Sequence, residues 1–247
     1  MSLGKEIYRH HDEYGPLVVW DDGNKRYLGF GEDDEQSCQL KSDPFLLQHD
    51  YTRAMLLVLL FIKPDKVTLL GLGGGTLVTT LHQYLPELVV TAVELRFHVI
   101  KIAQRFFQLP RTQRITVLTE DAGDFLRREQ CDKPDVILAD IYDGDGVDSQ
   151  QTESWFVEGC YQQLSDNGWL VMNCWRQHRG EQSLIHTLST LFADVRACAT
   201  AEGNWVILAG KRKSTKNSAQ LKTDAKQWSK VLGFSLLPAL ARLQQLS

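Results

Sequence analysis

Short apolar runs alternate with longer amphipathic stretches along most of the chain. Runs rich in Val, Leu and Ile that are bounded by polar turns predict buried strands. Stretches with apolar residues three and four positions apart predict helices that cover those strands. The predicted strands are 67–72, 88–94, 115–118, 135–140 and 168–173, and the helices that follow them are 76–85, 96–107, 122–129, 152–164 and 181–192.

Two further apolar runs, 195–199 and 205–209, follow with no room for a helix between them. Strands that alternate with helices predict an α/β fold with a parallel, doubly wound sheet. The late pair is predicted to be antiparallel, since its connection is too short for a crossover. A Rossmann-like sheet with an antiparallel last strand resembles class I S-adenosylmethionine-dependent methyltransferases more than nicotinamide-binding proteins.

The region before this pattern predicts a small β segment. Residues 17–20 and 26–30 are β-prone and flank an Asp-Gly turn, which is typical of a hairpin. The polar N-terminus around residues 10–11 is expected to be frayed. Residues 51–62 predict a mostly apolar helix that ends at the following Lys-Pro pair.

The region after the pattern is polar and then helical. Residues 211–218 predict a solvated linker, and residues 224–246 predict a helix interrupted at Pro238. We therefore expect three parts. They are an N-terminal β segment (1–50), a Rossmann-like domain (51–210), and a linker with a C-terminal helix (211–247).

Composition narrows the range of partners. The 247 residues carry a net charge of −4, and 43% of them are hydrophobic, which predicts a packed core. The acidic balance gives no electrostatic basis for a nucleic-acid partner. The longest apolar run, 54–62, is about half of the roughly 20 residues that cross a bilayer, so we expect no membrane partner and a cytoplasmic location. The cysteines and histidines lack ligand spacing, which argues against a metal site.

The most informative motif is the strand–turn–helix around Gly71, Gly73 and Gly75. Glycines let the backbone approach a ligand closely, and the turn points N–H groups of the next helix at it. Glu94 ends the next predicted strand about 20 residues further on, where dinucleotide-type folds place a ribose-binding carboxylate. The pair predicts a nucleoside ligand.

Polar residues also end the following strands. Asp121-Ala122 and Asp140 fall at the edge where open α/β sheets bind ligands. Glu94 can accept both ribose hydroxyls, Asp121 can accept an adenine amino group, and the Ala122 backbone can meet the ring edge. Each feature also has a structural alternative. Turn glycines satisfy positive φ, Glu94 can be a solvated acid, and Asp121 can cap the following helix.

The loop that begins at Asp140 is dense in carboxylates and also contains Asp143, Asp145 and Asp148. Such a cluster can bind a metal, bind a cationic substrate or act as a general base. The spacing of a calcium-binding EF-hand loop is absent. We expect Asp140 to serve the site, and Asp145 and Asp148 to be solvated.

Together these motifs resemble the spermidine synthase (aminopropyltransferase) family over most of the chain. The shared features are a Gln before the first domain helix, a Tyr at its start, a glycine turn, Val-Glu-Leu at a strand end, Asp-Ala before Phe-Leu, an Asp-x-x-Asp loop and an Asn-Gly turn. They correspond to Gln36, Tyr51, 71–75, 93–95, 121–126, 140–143 and 167–168.

The resemblance implies roles for these residues. It implies a metal-free site for S-adenosylmethionine or its decarboxylated form as co-substrate, and a homodimer. Asp140 would help to deprotonate the attacking amine, Asp143 would bind the amine chain, and Tyr51 would contact the substrate. The implied ligands of the nucleoside co-substrate are Gln36, Gly71, Gly73, Gly75, Glu94, Asp121 and Ala122.

Three departures from the family pattern bear on the substrate. Gly74 stands where the family has an Asp that pairs with the amine of decarboxylated S-adenosylmethionine, so S-adenosylmethionine or methylthioadenosine also becomes a predicted ligand. Arg53 stands where a family acid helps to hold a diamine, and it would suit an anionic group of the substrate. Residues 200–205 replace the family's Tyr-Pro-x-Gly acceptor loop. These departures argue against spermidine synthesis itself.

We therefore hypothesise a transferase that uses an S-adenosylmethionine-type donor and a small-molecule acceptor. Gly74 favours one alternative, a methyltransferase on the same fold. Arg53 and the changed acceptor loop favour another, a non-catalytic nucleoside-binding or interaction protein.

Overall fold

The computed structural model describes residues 4–31, 35–129, 132–143 and 146–246, with the side chain of Asp143 outside this description. These residues form a four-stranded antiparallel N-terminal sheet, an eight-stranded central sheet and a two-stranded ribbon. The strands are β1 (Lys5–Asp12), β2 (Gly15–Asp22), β3 (Lys25–Gly29), β4 (Ser37–Leu40), β5 (Lys66–Leu70), β6 (Val89–Glu94), β7 (Ile115–Thr119), β8 (Val136–Ala139), β9 (Tyr142–Asp143), β10 (Gly146–Val147), β11 (Trp169–Trp175), β12 (Asp194–Ala199), β13 (Asn204–Gly210) and β14 (Leu243–Gln245).

Helices cover both faces of the central sheet. Three short 3₁₀ segments, 56–60, 149–152 and 176–180, extend or connect the longer elements. None of the helices in the described ranges has the length and apolar character that crossing a bilayer requires. The helices are α1 (Asp50–Met55), α2 (Thr76–Tyr84), α3 (Phe97–Phe106), α4 (Ala122–Leu126), α5 (Ser154–Gln163), α6 (Gln182–Leu191), α7 (Ser218–Leu232) and α8 (Leu237–Arg242).

The central sheet has the strand order β14-β12-β13-β11-β8-β5-β6-β7. The strands β11, β8, β5, β6 and β7 run parallel to one another, whereas β13 is antiparallel to both β11 and β12. The strand order reverses between β5 and β8, so a crevice opens beyond their carboxyl ends. The predicted fold class is confirmed, including the antiparallel late strand and the N-terminal hairpin.

Both faces of the sheet are buried, which explains why its strands are continuously apolar. In β5, Val67 and Leu69 face one hydrophobic cluster and Leu70 faces the other. In β13, Val206 and Ile207 divide in the same way. Side chains alternate between the faces of a strand, so in a strand covered on both sides most positions on both faces are apolar.

Hydrogen bonds fix the N-terminal sheet against the central layer. Arg26 Nη1 donates to the carbonyl of Phe106 (2.8 Å), and Gln39 Nε2 donates to the carbonyl of Phe107 (2.8 Å). The ring of Phe107 packs in a cluster with Leu17 and Leu28 of β2 and β3. This docking brings the beginning of β4 against the turn that follows β5.

Three segments differ from the predicted elements. Residues 10–11 are not frayed but lie in β1, an edge strand whose mostly exposed side chains carry no apolar alternation. The helix predicted over 51–62 is α-helical only in α1 and continues as a 3₁₀ segment. The last part of the predicted C-terminal helix is instead β14, which adds to the sheet beside β12.

Candidate functional site

A cavity of about 550 Å³ lies at the carboxyl ends of the parallel strands β5, β6, β7 and β8. Its volume lies within the range of sites for small ligands. We divide its lining into two sides. The glycine-turn side consists of Gln36, Ser37, Gly71, Gly73, Glu94, Asp121 and Ala122, and the Asp140 side consists of Tyr51, Asp140, Tyr142, Asn173, Glu202 and Asn204.

Gly71 joins the two sides. Its φ is +88°, and a Cβ atom at this position would lie 2.2 Å from the carbonyl oxygen of Asp140. Backbone hydrogen bonds lock this approach, because Asp140 N donates to Leu70 O (2.8 Å) and Gly71 N donates to Val93 O (2.9 Å). Only glycine permits both the dihedral angle and the contact.

The next glycines pack against Ser37 at the beginning of β4. Gly73 has a φ of +52°, and a Cβ atom there would lie 2.8 Å from Ser37 Oγ. The N–H of Gly74 donates to the same Oγ (2.8 Å). A Cβ atom at Gly74 would lie 3.0 Å from both the Phe107 ring and Ser37 Cβ. Ser37 and Phe107 therefore occupy the space around the position where the family has its Asp.

Glu94 is buried at the end of β6 and is held by the backbone. Its Oε2 accepts the N–H of Leu72 (3.0 Å), and its Oε1 accepts the N–H of Arg96 (2.9 Å). Burial raises the pKa of Glu94, and these N–H groups oppose that rise by favouring the ionised form. The N–H of Gly73 also hydrogen-bonds to this carboxylate, so three of its roughly four acceptor positions are engaged and one remains for a ligand hydroxyl.

The side chain of Arg96 ties the N-terminal sheet to the rim of the cavity. Its Nη2 donates to Asp12 Oδ1 (2.7 Å) and its Nε donates to Asp12 Oδ2 (3.2 Å). The guanidinium lies 4.9 Å from the ring centre of Phe30 and 5.8 Å from that of Tyr14, and both rings line the cavity. The charge of Arg96 is thus largely balanced within the protein, and its contacts build an aromatic rim.

Asp121 caps the helix α4 and also faces the cavity. Its Oδ1 accepts the N–H of Asp124 (3.0 Å), and its Oδ2 accepts from Gln150 Nε2 (3.4 Å). Asp121 therefore has the structural role that the sequence offered as an alternative, that of capping the following helix. The capping bond engages one oxygen and leaves Oδ2 with acceptor capacity for a ligand, and Ala122 lines the cavity beside it.

Asp140 lies half-buried directly after β8, on the opposite side of the cavity. Its Oδ1 accepts from Asn173 Nδ2 (2.8 Å), and the hydroxyl of Tyr51 also hydrogen-bonds to the carboxylate. Burial raises the pKa of Asp140 to about 6, although both hydrogen bonds act to lower it. Burial, with the nearby Asp140 charge, also raises the pKa of Tyr51 well above its usual value, so this hydroxyl stays a donor.

The cavity is strongly acidic. Glu202 contributes from the turn before β13, where its Oε2 accepts the N–H of Asp50 (2.9 Å). Within the described ranges, the lining holds seven carboxylates and one guanidinium, that of Arg96, which is already paired. Such an excess of negative charge favours a cationic ligand. The carboxylates are Glu35, Glu94, Glu120, Asp121, Asp140, Asp148 and Glu202.

Two residues predicted for the site lie outside the described lining. Arg53 donates through Nε and Nη2 to Leu47 O (2.9 and 2.7 Å), because residues two apart on a helix point to nearly opposite sides and Tyr51 takes the cavity side. Gly75 has a φ of +74° and begins α2, where a Cβ atom would lie 2.8 Å from Leu109 Cδ1. The side chain of Asp143 lies outside the described residues, as does Asp145.

Several lining residues were not identified from the sequence. Asn173 lies near the carboxyl end of β11, at the same edge as Asp140, a signal of the kind that identified the other strand ends. Asp148, expected to be solvated, lines the cavity and accepts the N–H of Gln150 (3.0 Å). In the described part of the chain, His, Cys, Asp and Glu form no group that could hold a metal ion. The other unpredicted lining residues include Tyr14, Phe30, His49, Arg96, Glu202 and Asn204.

Comparison with known proteins identifies sequence relatives of this chain. Residues 48–217 match the spermine/spermidine synthase domain. A polyamine aminopropyltransferase of Neisseria meningitidis is 31% identical over 232 residues, which cover 92% of this chain and 88% of the relative.

Solved structures share the fold. A probable spermidine synthase from Corynebacterium glutamicum has a TM-score of 0.79 at 20% identity and covers 99% of this chain and 91% of its own. Human methyltransferase-like protein 13, solved in complex with SAH, has a TM-score of 0.67 at 20% identity and covers 75% of this chain and 93% of its own. The matched domain and the relative above 30% identity establish that this chain belongs to the spermine/spermidine synthase family.

Proposed function

We propose that this protein transfers an alkyl group from an adenosyl sulfonium donor to an amine, with Asp140 holding the amine and receiving its proton. One observation carries the proposal. A half-buried carboxylate, that of Asp140, is fixed by two hydrogen-bond donors, has its pKa raised to about 6, and faces an acidic cavity beside a glycine turn. An ammonium group becomes a nucleophile only after it loses a proton, which a carboxylate in this setting favours.

The donor would occupy the glycine-turn side. There the remaining acceptor position of Glu94 would accept from a ribose hydroxyl, and Asp121 Oδ2 would accept from the adenine amino group. Gly71 and Gly73 would allow the donor's sulfonium portion to lie against the backbone, and Gln36 would contact the nucleoside. The sulfonium is a cation, which the acidic lining suits.

The reaction is a displacement at a carbon bonded to sulfur. The amine lone pair forms a C–N bond while the C–S bond breaks and its electron pair stays on sulfur. The sulfonium becomes a neutral thioether, and the proton lost by the amine passes to Asp140. Bringing the two reactants together in one cavity makes the step effectively unimolecular.

The position of Arg53 changes the prospects for a diamine acceptor. Its guanidinium is hydrogen-bonded to Leu47 O and lies outside the described lining, so it does not oppose a cation in the cavity. Glu202 instead adds a carboxylate to the Asp140 side. Both features support an amine acceptor, and a polyamine precursor is one candidate.

A methyl group is the alternative cargo, and Gly74 favours it. Ser37 and Phe107 pack around Gly74, and a glycine at this position supplies no carboxylate to pair with the ammonium of decarboxylated S-adenosylmethionine or to repel the carboxylate of S-adenosylmethionine. A methyltransferase needs the same nucleophilic amine, so the role proposed for Asp140 serves either transfer.

A transfer assay separates the two reactions. The protein is incubated with S-adenosylmethionine labelled in its methyl group, or with its decarboxylated form labelled in the aminopropyl group, and with a panel of primary amines that includes 1,4-diaminobutane. Label on the amine with release of methylthioadenosine identifies aminopropyl transfer, and release of S-adenosylhomocysteine identifies methyl transfer. If no amine is labelled and calorimetry detects no donor binding, the proposal is wrong.

We expect the protein to discriminate weakly between the two donors. A hydrogen bond to a charged group is worth about 1.5–3 kcal/mol, or roughly tenfold to 150-fold in affinity. Since Gly74 provides no such charge, the Kd values of S-adenosylmethionine and its decarboxylated form should lie within about tenfold of each other. Calorimetry at one pH and ionic strength measures both, and methylthioadenosine, which lacks either charged tail, is the reference. A preference above about 100-fold for one donor would show that another residue binds the charged tail of that donor.

We expect kcat/KM for transfer to fall as the pH drops through about 6. Asp140 must be ionised to take a proton, and its raised pKa places the loss of the ionised form near that pH. The acidic limb of a kcat/KM profile reports the free enzyme, which is the state described here. Rates measured from pH 5 to pH 9 test this expectation. A kcat/KM that stays level down to pH 5, as expected for a carboxyl with the ordinary aspartate pKa of 3.8, would contradict it.

A further inference from the structure

Two asparagine side chains lead from β13 to Asp140. Asn204, the first residue of β13, donates from Nδ2 to Asn173 Oδ1 (3.0 Å). Asn173, near the end of β11, donates from its own Nδ2 to Asp140 Oδ1 (2.8 Å). Asn173 is only 1% exposed, so water has little access to this chain of hydrogen bonds.

A carboxamide has two unlike ends of nearly the same shape. The NH₂ end of Asn173 stabilises a carboxylate, whereas the oxygen end, turned toward Asp140, would repel it. The backbone of Asn173 does not fix which end of its side-chain amide faces Asp140, because its carbonyl oxygen accepts a separate hydrogen bond from Gln151 Nε2 (2.8 Å). The orientation of this amide is fixed by the donor that bonds to Asn173 Oδ1, and that donor is Asn204 Nδ2.

Asn204 is itself held in place. Its N–H donates to Thr200 Oγ1 (3.1 Å), and the Thr200 hydroxyl lies 3.5 Å from Asn204 Oδ1 as its donor. Thr200 is 1% exposed. The oxygen end of Asn204 therefore points toward Thr200 and its NH₂ end toward Asn173.

We propose that Asn204 is a positioning residue that orients the Asn173 carboxamide, so that its NH₂ group faces Asp140 and holds that carboxylate ionised and in place. The orientation follows from the contacts alone. Its importance for transfer rests on the function proposed above for Asp140.

Other titratable groups also face this carboxylate. They are Tyr51 from α1, Tyr142 from β9 and Cys174 from β11. Tyr142 also contacts the side-chain amide of Asn204, because Asn204 Nδ2 lies 3.5 Å from the Tyr142 hydroxyl. A test must separate the route through Asn173 from the route through Tyr142.

The experiment is a double-mutant cycle on the pKa of Asp140, read from its side-chain carboxyl ¹³C resonance and assigned with Asp140→Asn. The proteins are the natural chain, Asn204→Ala, Asn173→Ala and the double variant. Asn204→Ala should raise the pKa of Asp140 by about one unit, the size expected for losing one charged hydrogen bond. In the Asn173→Ala background the same change should add nothing. Tyr142→Phe in the natural background should leave the effect of Asn204→Ala intact.

An unchanged pKa in Asn204→Ala would overturn the proposal, and so would a shift of equal size in the Asn173→Ala background. Should Asn204→Ala fold poorly, Thr200→Val removes the hydroxyl that holds Asn204 while preserving volume, and it should shift the pKa in the same direction. The titration needs no substrate. If it succeeds but Asp140→Asn transfers at the natural rate, the proposed function fails and the positioning role stands.

Discussion

Asp140→Asn should lower kcat/KM for group transfer by about 100-fold to 10,000-fold, the range typical of losing a general base. The substituted side chain has nearly the same shape, and its oxygen can still accept the N–H of Asn173. It lacks the charge that holds an ammonium and the basicity that takes its proton. Initial rates at saturating donor measure the loss, and calorimetry with methylthioadenosine shows whether the glycine-turn side still binds.

A stability measurement excludes unfolding as the cause. Because burial raises the pKa of Asp140 from 3.8 to about 6, the folded state binds its proton more tightly than the unfolded state. Ionising it therefore reduces stability as the pH rises from about 4 to 6, by up to about 3 kcal/mol. Asp140→Asn should thus unfold at a higher denaturant concentration than the natural protein at pH 8.

The matched control is Asp166→Asn, which neutralises an exposed carboxylate in the turn before β11. It should transfer at the natural rate. If instead Asp140→Asn retained more than about a tenth of the natural kcat/KM, Asp140 would not be the base.

Glu94→Gln should weaken methylthioadenosine binding by about tenfold to 100-fold. The carboxylate of Glu94 accepts the N–H groups of Leu72 and Arg96 at once. A glutamine side chain ends in one oxygen and one NH₂ group, and the NH₂ group cannot accept a hydrogen bond. One of the two backbone N–H groups therefore loses its partner, and a ligand hydroxyl meets a donor instead of an acceptor. Glu94→Lys, which reverses the charge beside Arg96, should abolish measurable binding.

Two controls accompany the Glu94 variants. Glu87→Gln changes a 92% exposed carboxylate just before β6, at the other end of the strand that Glu94 terminates, and should bind normally. Thermal unfolding shows whether a loss of affinity comes from a loss of structure. Full affinity in a folded Glu94→Lys protein would refute the assignment to ribose.

The sequence predicted the residues that sit where strand periodicity ends. Glu94, Asp121 and Asp140 each follow an apolar run, and parallel strands bring their carboxyl ends to one edge. The structure places all three in one cavity lining. The same rule extends to Asn173, one strand further along.

Residues placed by their separation along a helix or by a turn were harder to predict. Arg53 was predicted to contact the substrate because it stands where the family has an acid, although a spacing of two from Tyr51 on a helix directs the two side chains apart. Glu202 and Asn204 depend on how the turn before β13 folds back, which no local pattern indicates. Strands β1 and β14 escaped prediction because polar edge strands carry no apolar alternation.

The reversed direction of β13 has a consequence for how this family can diversify. Because β13 runs against β11, its first residue rather than its last reaches the cavity, and the turn 200–203 comes with it. The glycine-turn side is assembled from segments far upstream. Insertions and substitutions in that turn therefore alter one end of the cavity while the other is inherited unchanged. Under the function proposed above, acceptor choice and donor binding would be separable traits, open to independent selection on one scaffold.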